Sequence, residues 1–112
     1  MSKLFENKIA LVTGGASGIG KATAISMARE NATVIVTDLE KEGCKATVEI
    51  IEKENNNAVA HPMDVTNEES LIDLIEEIDS QFGQLDIAFN NAGIGGDFKK
   101  TADYSIVEWN QV

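Results

Sequence analysis

The sequence predicts an α/β fold, an open parallel sheet wound on both faces by helices. Three observations lead there. Short runs rich in β-branched residues are apolar at nearly every position, as strands covered on both faces are. Longer stretches between them space their apolar residues as helices do. The connections are too long for hairpins and suit right-handed crossovers. In order, the first strand is Ile9–Thr13. A glycine-rich turn follows, then a helix from about Gly18 to Glu30, with Asn31 able to take the left-handed position at its end. Thr33–Thr37 is the second strand. The stretch around Lys41–Glu54 places Cys44, Val48 and Ile51 on one face and stops at Asn55-Asn56-Asn57. Ala58–Met63 is the third strand. The clearest helix carries Leu71, Leu74, Ile75, Ile78 and Phe82 on one side, with Glu68, Glu69, Asp73, Glu76 and Glu77 mostly opposite. Thr66 and Glu69 form a T-x-x-E capping box at its start, and Gly83 supplies a left-handed stop. Leu85–Asn90 is the fourth strand. Ser105 and Glu108 form a second capping box, and Trp109 and Val112 begin an apolar stripe, the start of a fourth helix. The pattern is β-α-β-α-β-α-β plus that start, read as one domain over residues 1–112 that stops inside a larger fold.

With 112 residues, 43% of them hydrophobic and 25% charged, the chain has the composition of a globular domain able to bury a core without metals or disulfides. Nineteen acids against nine Lys and Arg leave a formal charge of −10, which disfavours DNA or RNA as the main partner. A small nucleotide is not disfavoured, because it feels its local site more than the whole field. Cys44 is the single cysteine, so no internal disulfide can form, as befits a reducing compartment. The longest apolar stretches, Ile9–Val12 and Val34–Val36, fall far short of a membrane span. The first six residues lack the apolar core of a secretory signal. A cytoplasmic protein is expected.

The turn after the first strand reads Thr13-Gly14-Gly15-Ala16-Ser17-Gly18-Ile19-Gly20. Its glycines have separate uses. Gly14 permits the sharp exit from the strand, Gly18 lets backbone approach a pyrophosphate, and Gly20 lets helix and sheet pack closely. The helix that follows offers unpaired N–H groups and a positive dipole end to phosphates. Gly15-x4-Gly20-Lys21 matches most of a triphosphate-binding loop, but Ala22 stands where a hydroxyl is needed for magnesium, and Thr23 is displaced by one. Asp38 ends the second strand 18 residues after Gly20, near the spacing of an acid that binds ribose hydroxyls. Such a carboxylate repels a 2′-phosphate, and no Arg or Lys lies between Gly14 and Gly20 to offset it. The pattern therefore favours NAD over NADP.

Thr13-Gly14-x-x-x-Gly18-Ile19-Gly20, Asp38, Asp64-Val65 and Asn90-Asn91-Ala92-Gly93, in this order, resemble the short-chain dehydrogenase/reductase family across essentially the whole chain. The resemblance implies a Rossmann-type doubly wound sheet and an oxidoreductase that passes hydride between NAD and an alcohol or carbonyl substrate. It implies a cofactor site built from Gly14, Ala16, Ser17, Gly18, Ile19, Gly20, Asp38, Leu39, Asp64, Val65, Asn90, Asn91, Ala92, Gly93 and Ile94. In it Asp64 binds the adenine amino group, Val65 contacts the ring through its backbone, and Asn90–Gly93 closes over the adenosine ribose. Ile94 sits near the nicotinamide. Asn31 departs from the glycine usual in the family at the first helix end.

The family's catalytic Tyr-x-x-x-Lys is not found in these 112 residues. The one tyrosine, Tyr104, is followed four residues later by Glu108, and a carboxylate raises a phenol's pKa where the chemistry needs it lowered. Asn91 stands about where the upstream serine would be. The resemblance puts every catalytic position beyond Val112, so none is assigned here. His61 has no clustered ligands and reads as structural, and Cys44 reads as packing. The chain alone is expected to bind cofactor without turning over substrate. A standalone nucleotide-binding or interaction module is the alternative, and a remnant without activity a third. The fourth strand, lacking the neighbour it has in the family, is expected to act as an apolar edge through which copies self-associate.

Overall fold

Ile9–Thr13 (β1) is buried at all five positions, because helices cover both of its faces. The computed structural model describes residues 4–64 and 67–91. In it β1 lies between Thr33–Thr37 (β2) and Ile87–Asn90 (β4), with Asn57–Ala60 (β3) outside β2, in the order β3-β2-β1-β4. All three pairings are parallel. Between the strands run Gly18–Arg29 (α1), Lys41–Lys53 (α2) and Glu68–Phe82 (α3).

The pleat sends alternate residues to opposite faces. Ala10, Val12, Val34 and Val36 meet Ala24 and Ala28 of α1 and Cys44, Val48 and Ile51 of α2. Ile9, Leu11 and Ile35 meet Leu71, Leu74, Ile75 and Ile78 of α3, with Leu85. The alanines let α1 lie close to the sheet, whereas α3 fills its layer with long aliphatic chains. The topology explains why the layers divide this way. From β1 to β2 to β3 the chain steps in one direction, so right-handed crossovers put α1 and α2 on the same face. It then reverses to reach β4 on the far side of β1, which puts α3 on the other face. That reversal opens a crevice at the C-terminal ends of β1 and β4, where doubly wound sheets bind ligands.

The predicted doubly wound α/β architecture is the one observed. Its helix ends follow in part: Asn31 has φ +72° and Gly83 φ +71°, both left-handed. Several boundaries differ, among them the start of β3, which is Asn57 rather than Ala58. The N-cap of α3 is Asn67, whose side chain accepts from Ser70 N–H at 3.0 Å, so the helix starts one residue later than a Thr66 cap requires. β3 ends at Ala60 rather than Met63. Pro62 lacks the N–H of a regular ladder, although His61 and Met63 still donate to Val36 and Asp38 carbonyls at 2.8 and 2.9 Å. β4 starts at Ile87 rather than Leu85, because Leu85 is buried in the α3 layer and Asp86 is used for anchoring. The Asp86 carboxylate accepts from Ile9 N–H at 2.8 Å, and its own N–H donates to the Ile9 carbonyl at 2.9 Å. The second capping box and the fourth helix lie outside the described residues.

Candidate functional site

The site begins where β1 and β4 end side by side. Thr13 is fully buried, and its hydroxyl joins the two strands. Oγ1 donates to Asn90 Oδ1 at 3.0 Å and accepts from Asn91 N–H at 3.0 Å. Asn91 Nδ2 reaches the Gly14 carbonyl at 3.5 Å. These bonds tie the two strand ends to each other and to the glycine turn.

Within the turn, Gly14 and Gly18 have φ of +66° and +60°, the left-handed region where a side chain is strained. No atom lies within 4 Å of where a Gly18 Cβ would stand, so the backbone there faces open space that a side chain would fill. Gly20 is the opposite case. A Cβ on it would meet the Gly14 carbonyl oxygen at 2.0 Å, which fits the close packing expected of it. Ser17 is the N-cap of α1, but its side chain makes no capping bond, and the first turn of α1 holds no acid. In so acidic a chain, this leaves a helix start whose N–H dipoles are not countered by a nearby carboxylate of that turn.

Asp38 follows β2 and is half-buried. Its Oδ2 accepts from Ala16 N–H at 3.2 Å and its Oδ1 from Glu40 N–H at 3.2 Å. Each carboxylate oxygen keeps a second lone-pair direction for a ligand hydroxyl. The backbone bond from Met63 to Asp38 carries the chain to Asp64 at the same end of the sheet, where Asp64 is exposed. Ile19 and Leu39, each 70% exposed, are two large apolar side chains open to solvent on either side of this turn. Gly14, Ala16, Ser17, Gly18, Ile19, Gly20, Asp38, Leu39, Asp64, Asn90 and Asn91 thus occupy one edge of the molecule. Val65, Ala92, Gly93 and Ile94 lie outside the described residues.

Thr47 and Thr37 are among the residues that escape the sequence reading. Thr47, buried on α2, donates from its hydroxyl to the Gly15 carbonyl at 2.8 Å. Its signal is a polar residue next to Val48 on an otherwise apolar helix face, one turn after Gly43. Thr37 Oγ1 is buried with no hydrogen-bond partner. Cys44 is also buried, and burial, then the charges of Asp38 and Glu40, push its thiol up to about 11. It is held as a neutral thiol at physiological pH, which suits packing rather than nucleophilic or metal chemistry.

Residues 8–112 match the family model described as short chain dehydrogenase. The chain belongs to the short-chain dehydrogenase family. Across all 112 residues it is 39% identical to cyclohexanol dehydrogenase of Acinetobacter sp. (strain SE19), covering 45% of that relative. It is 40% identical over 108 residues to 3beta-hydroxysteroid dehydrogenase of Mediterraneibacter gnavus, covering 96% of this chain and 39% of the relative. The crystal structure of hydroxysteroid dehydrogenase from Escherichia coli superposes with a TM-score of 0.76 at 37% identity, over 82% of this chain and 39% of that one. This short-chain dehydrogenase chain thus spans less than half the length of these relatives. The family binds nicotinamide dinucleotides together with a substrate. Among the described residues, no helix is long and apolar enough to cross a membrane.

Proposed function

We propose that residues 1–112 form the NAD-holding domain of a short-chain dehydrogenase that passes hydride between NAD and an alcohol or carbonyl compound. The observation that carries this reading is the joining of Asp38 to the glycine turn through Ala16 N–H. It brings a carboxylate suited to ribose hydroxyls to the same turn as Gly18, whose backbone faces open space. The donors of Ser17, Gly18, Ile19 and Gly20 at the start of α1 suit the diphosphate, and Asp38 with Leu39 the adenosine ribose. Asp64 and Val65 suit the adenine. Asn90, Asn91, Ala92, Gly93 and Ile94 suit the stretch from ribose toward nicotinamide. When bound, NAD supplies the hydride acceptor, and the residues of this chain hold and orient it. No catalytic role is assigned within these 112 residues.

NAD is preferred over NADP because the Asp38 charge opposes a 2′-phosphate, and no Lys or Arg lies between Gly14 and Gly20. At contact distance and intermediate dielectric, such repulsion separates the two cofactors roughly tenfold or more. Calorimetric titration of the chain should show NAD and ADP-ribose binding with comparable affinity and NADP binding at least about tenfold more weakly. Equal affinity for NADP overturns the preference, and binding of none of the three overturns the site. The same reading expects a cytoplasmic setting, suited to the single buried cysteine. It also expects self-association along β4, one of the two edge strands among the described residues, and a clean monomer at high concentration in sedimentation would contradict that.

A further inference from the structure

The peptide unit between Gly15 and Ala16 is held at both of its polar atoms. Its carbonyl oxygen accepts from Thr47 Oγ1 at 2.8 Å, and its N–H donates to Asp38 Oδ2 at 3.2 Å. In a trans peptide these two groups point in opposite directions from one plane. An anchor on each side therefore leaves the plane a single orientation. The residues before it, Gly14 and Gly15, give the segment unusual rotational freedom, so local chain stiffness cannot supply that orientation. The anchor comes instead from α2, 32 residues further along the chain. One helical turn before Thr47, Gly43 lets α2 lie directly on the turn. A Cβ there would stand 2.6 Å from Ala16 Cβ. The N–H of this peptide is then not spare for a ligand. Its use is to hold the rest of the loop.

We propose that Thr47 is a positioning residue for the cofactor: by holding the Gly15 carbonyl it fixes the peptide whose N–H orients the Asp38 carboxylate. The inference rests on the NAD reading above. A side chain that never meets the ligand thereby sets both halves of the adenosine-diphosphate cradle, the loop and the ribose acid. Removing the hydroxyl leaves a carbonyl without its donor and frees the peptide to rotate.

The test compares Thr47→Val, Thr47→Ala and Thr47→Ser with the unmodified chain. NAD affinity is measured by calorimetry well below each melting temperature, with circular dichroism to verify the fold. Thr47→Val should weaken NAD about tenfold, the loss expected for one buried hydrogen bond, and Thr47→Ser should remain within about twofold. Thr47→Ala carries the same expectation as valine with less bulk, so a valine variant that fails to fold does not end the test. Amide exchange at Ala16 should quicken in the valine and alanine variants and slow again in the serine variant. A purely structural role would lower the melting temperature and leave NAD affinity unchanged below it, which overturns the inference alone. Serine binding as weakly as valine also overturns it. If the unmodified chain binds no NAD, the cofactor reading falls and takes the inference with it.

Discussion

Replacing Gly20 with alanine is expected to destabilise the fold and to abolish NAD binding. Two effects oppose each other. Alanine is intrinsically better than glycine inside a helix by about 1 kcal/mol. Against this, the added Cβ would stand 2.0 Å from the Gly14 oxygen, 2.7 Å from the Gly14 carbonyl carbon and 2.9 Å from Asn91 Nδ2. The first two are backbone atoms of a turn held to β2 by the 3.1 Å bond from Gly15 N–H to the Thr37 carbonyl, so they cannot swing aside as a flexible side chain can. The strain can be relieved by moving α1 outward, which opens the packing of Ala24 and Ala28, both fully buried. Overpacking of this kind costs about 3 kcal/mol, so the net loss should be about 2 kcal/mol. Urea unfolding would measure it. A variant as stable as the unmodified chain would mean that helix and turn do not approach as described. Because the turn shifts with the helix, NAD titration should show no binding even where the variant remains folded.

The second large effect is expected at Asp38. Asp38→Ala removes the proposed ribose acceptor and, with it, the partners of Ala16 N–H and Glu40 N–H. Hydrogen bonds to a charged group contribute about 1.5–3 kcal/mol each, so NAD should bind about 100-fold more weakly. NADP should lose far less, because the charge that repels its 2′-phosphate is removed together with the acceptor. The two titrations should therefore converge. A variant that still prefers NAD by the original margin would place the discrimination elsewhere. Asp38→Asn should fall between, since one amide oxygen can still accept while the amide nitrogen faces a backbone donor.

Most of the scaffold was legible in the sequence for a physical reason. A strand covered on both faces cannot alternate, so Ile9–Thr13 and Thr33–Thr37 stand out as runs apolar at nearly every position, and their bounds were read as observed. The stripe from Leu71 to Ile78 is periodic because one side of α3 faces Ile9, Leu11 and Ile35 and the other faces water. Ends were harder where two adjacent residues could do the same task. Thr66 and Asn67 both suit an N-cap, and the T-x-x-E pattern pointed to the wrong one. Pro62 broke a run that composition alone extends to Met63. In the site, the local motifs were visible because each lies within a few residues of a strand end. Thr47 was harder to find, since its polarity on an apolar helix face marks a buried hydroxyl but does not say that the partner is Gly15, 32 residues away. Asp86 escaped for the same reason, its partner Ile9 lying 77 residues away.

That separation has a bearing on how the protein is made. β2 follows β1 closely in the chain, yet Asn90, which closes the other side of β1 through Thr13, is synthesised 77 residues later. At ordinary elongation rates of about 5–20 residues per second, one flank of the central strand stays uncovered for roughly 4 to 15 s. During that interval the nascent chain carries an apolar ribbon with open backbone groups, a natural target for chaperones that guard emerging polypeptides. Translation speed, and not only the finished fold, should then influence how much of the product survives intact.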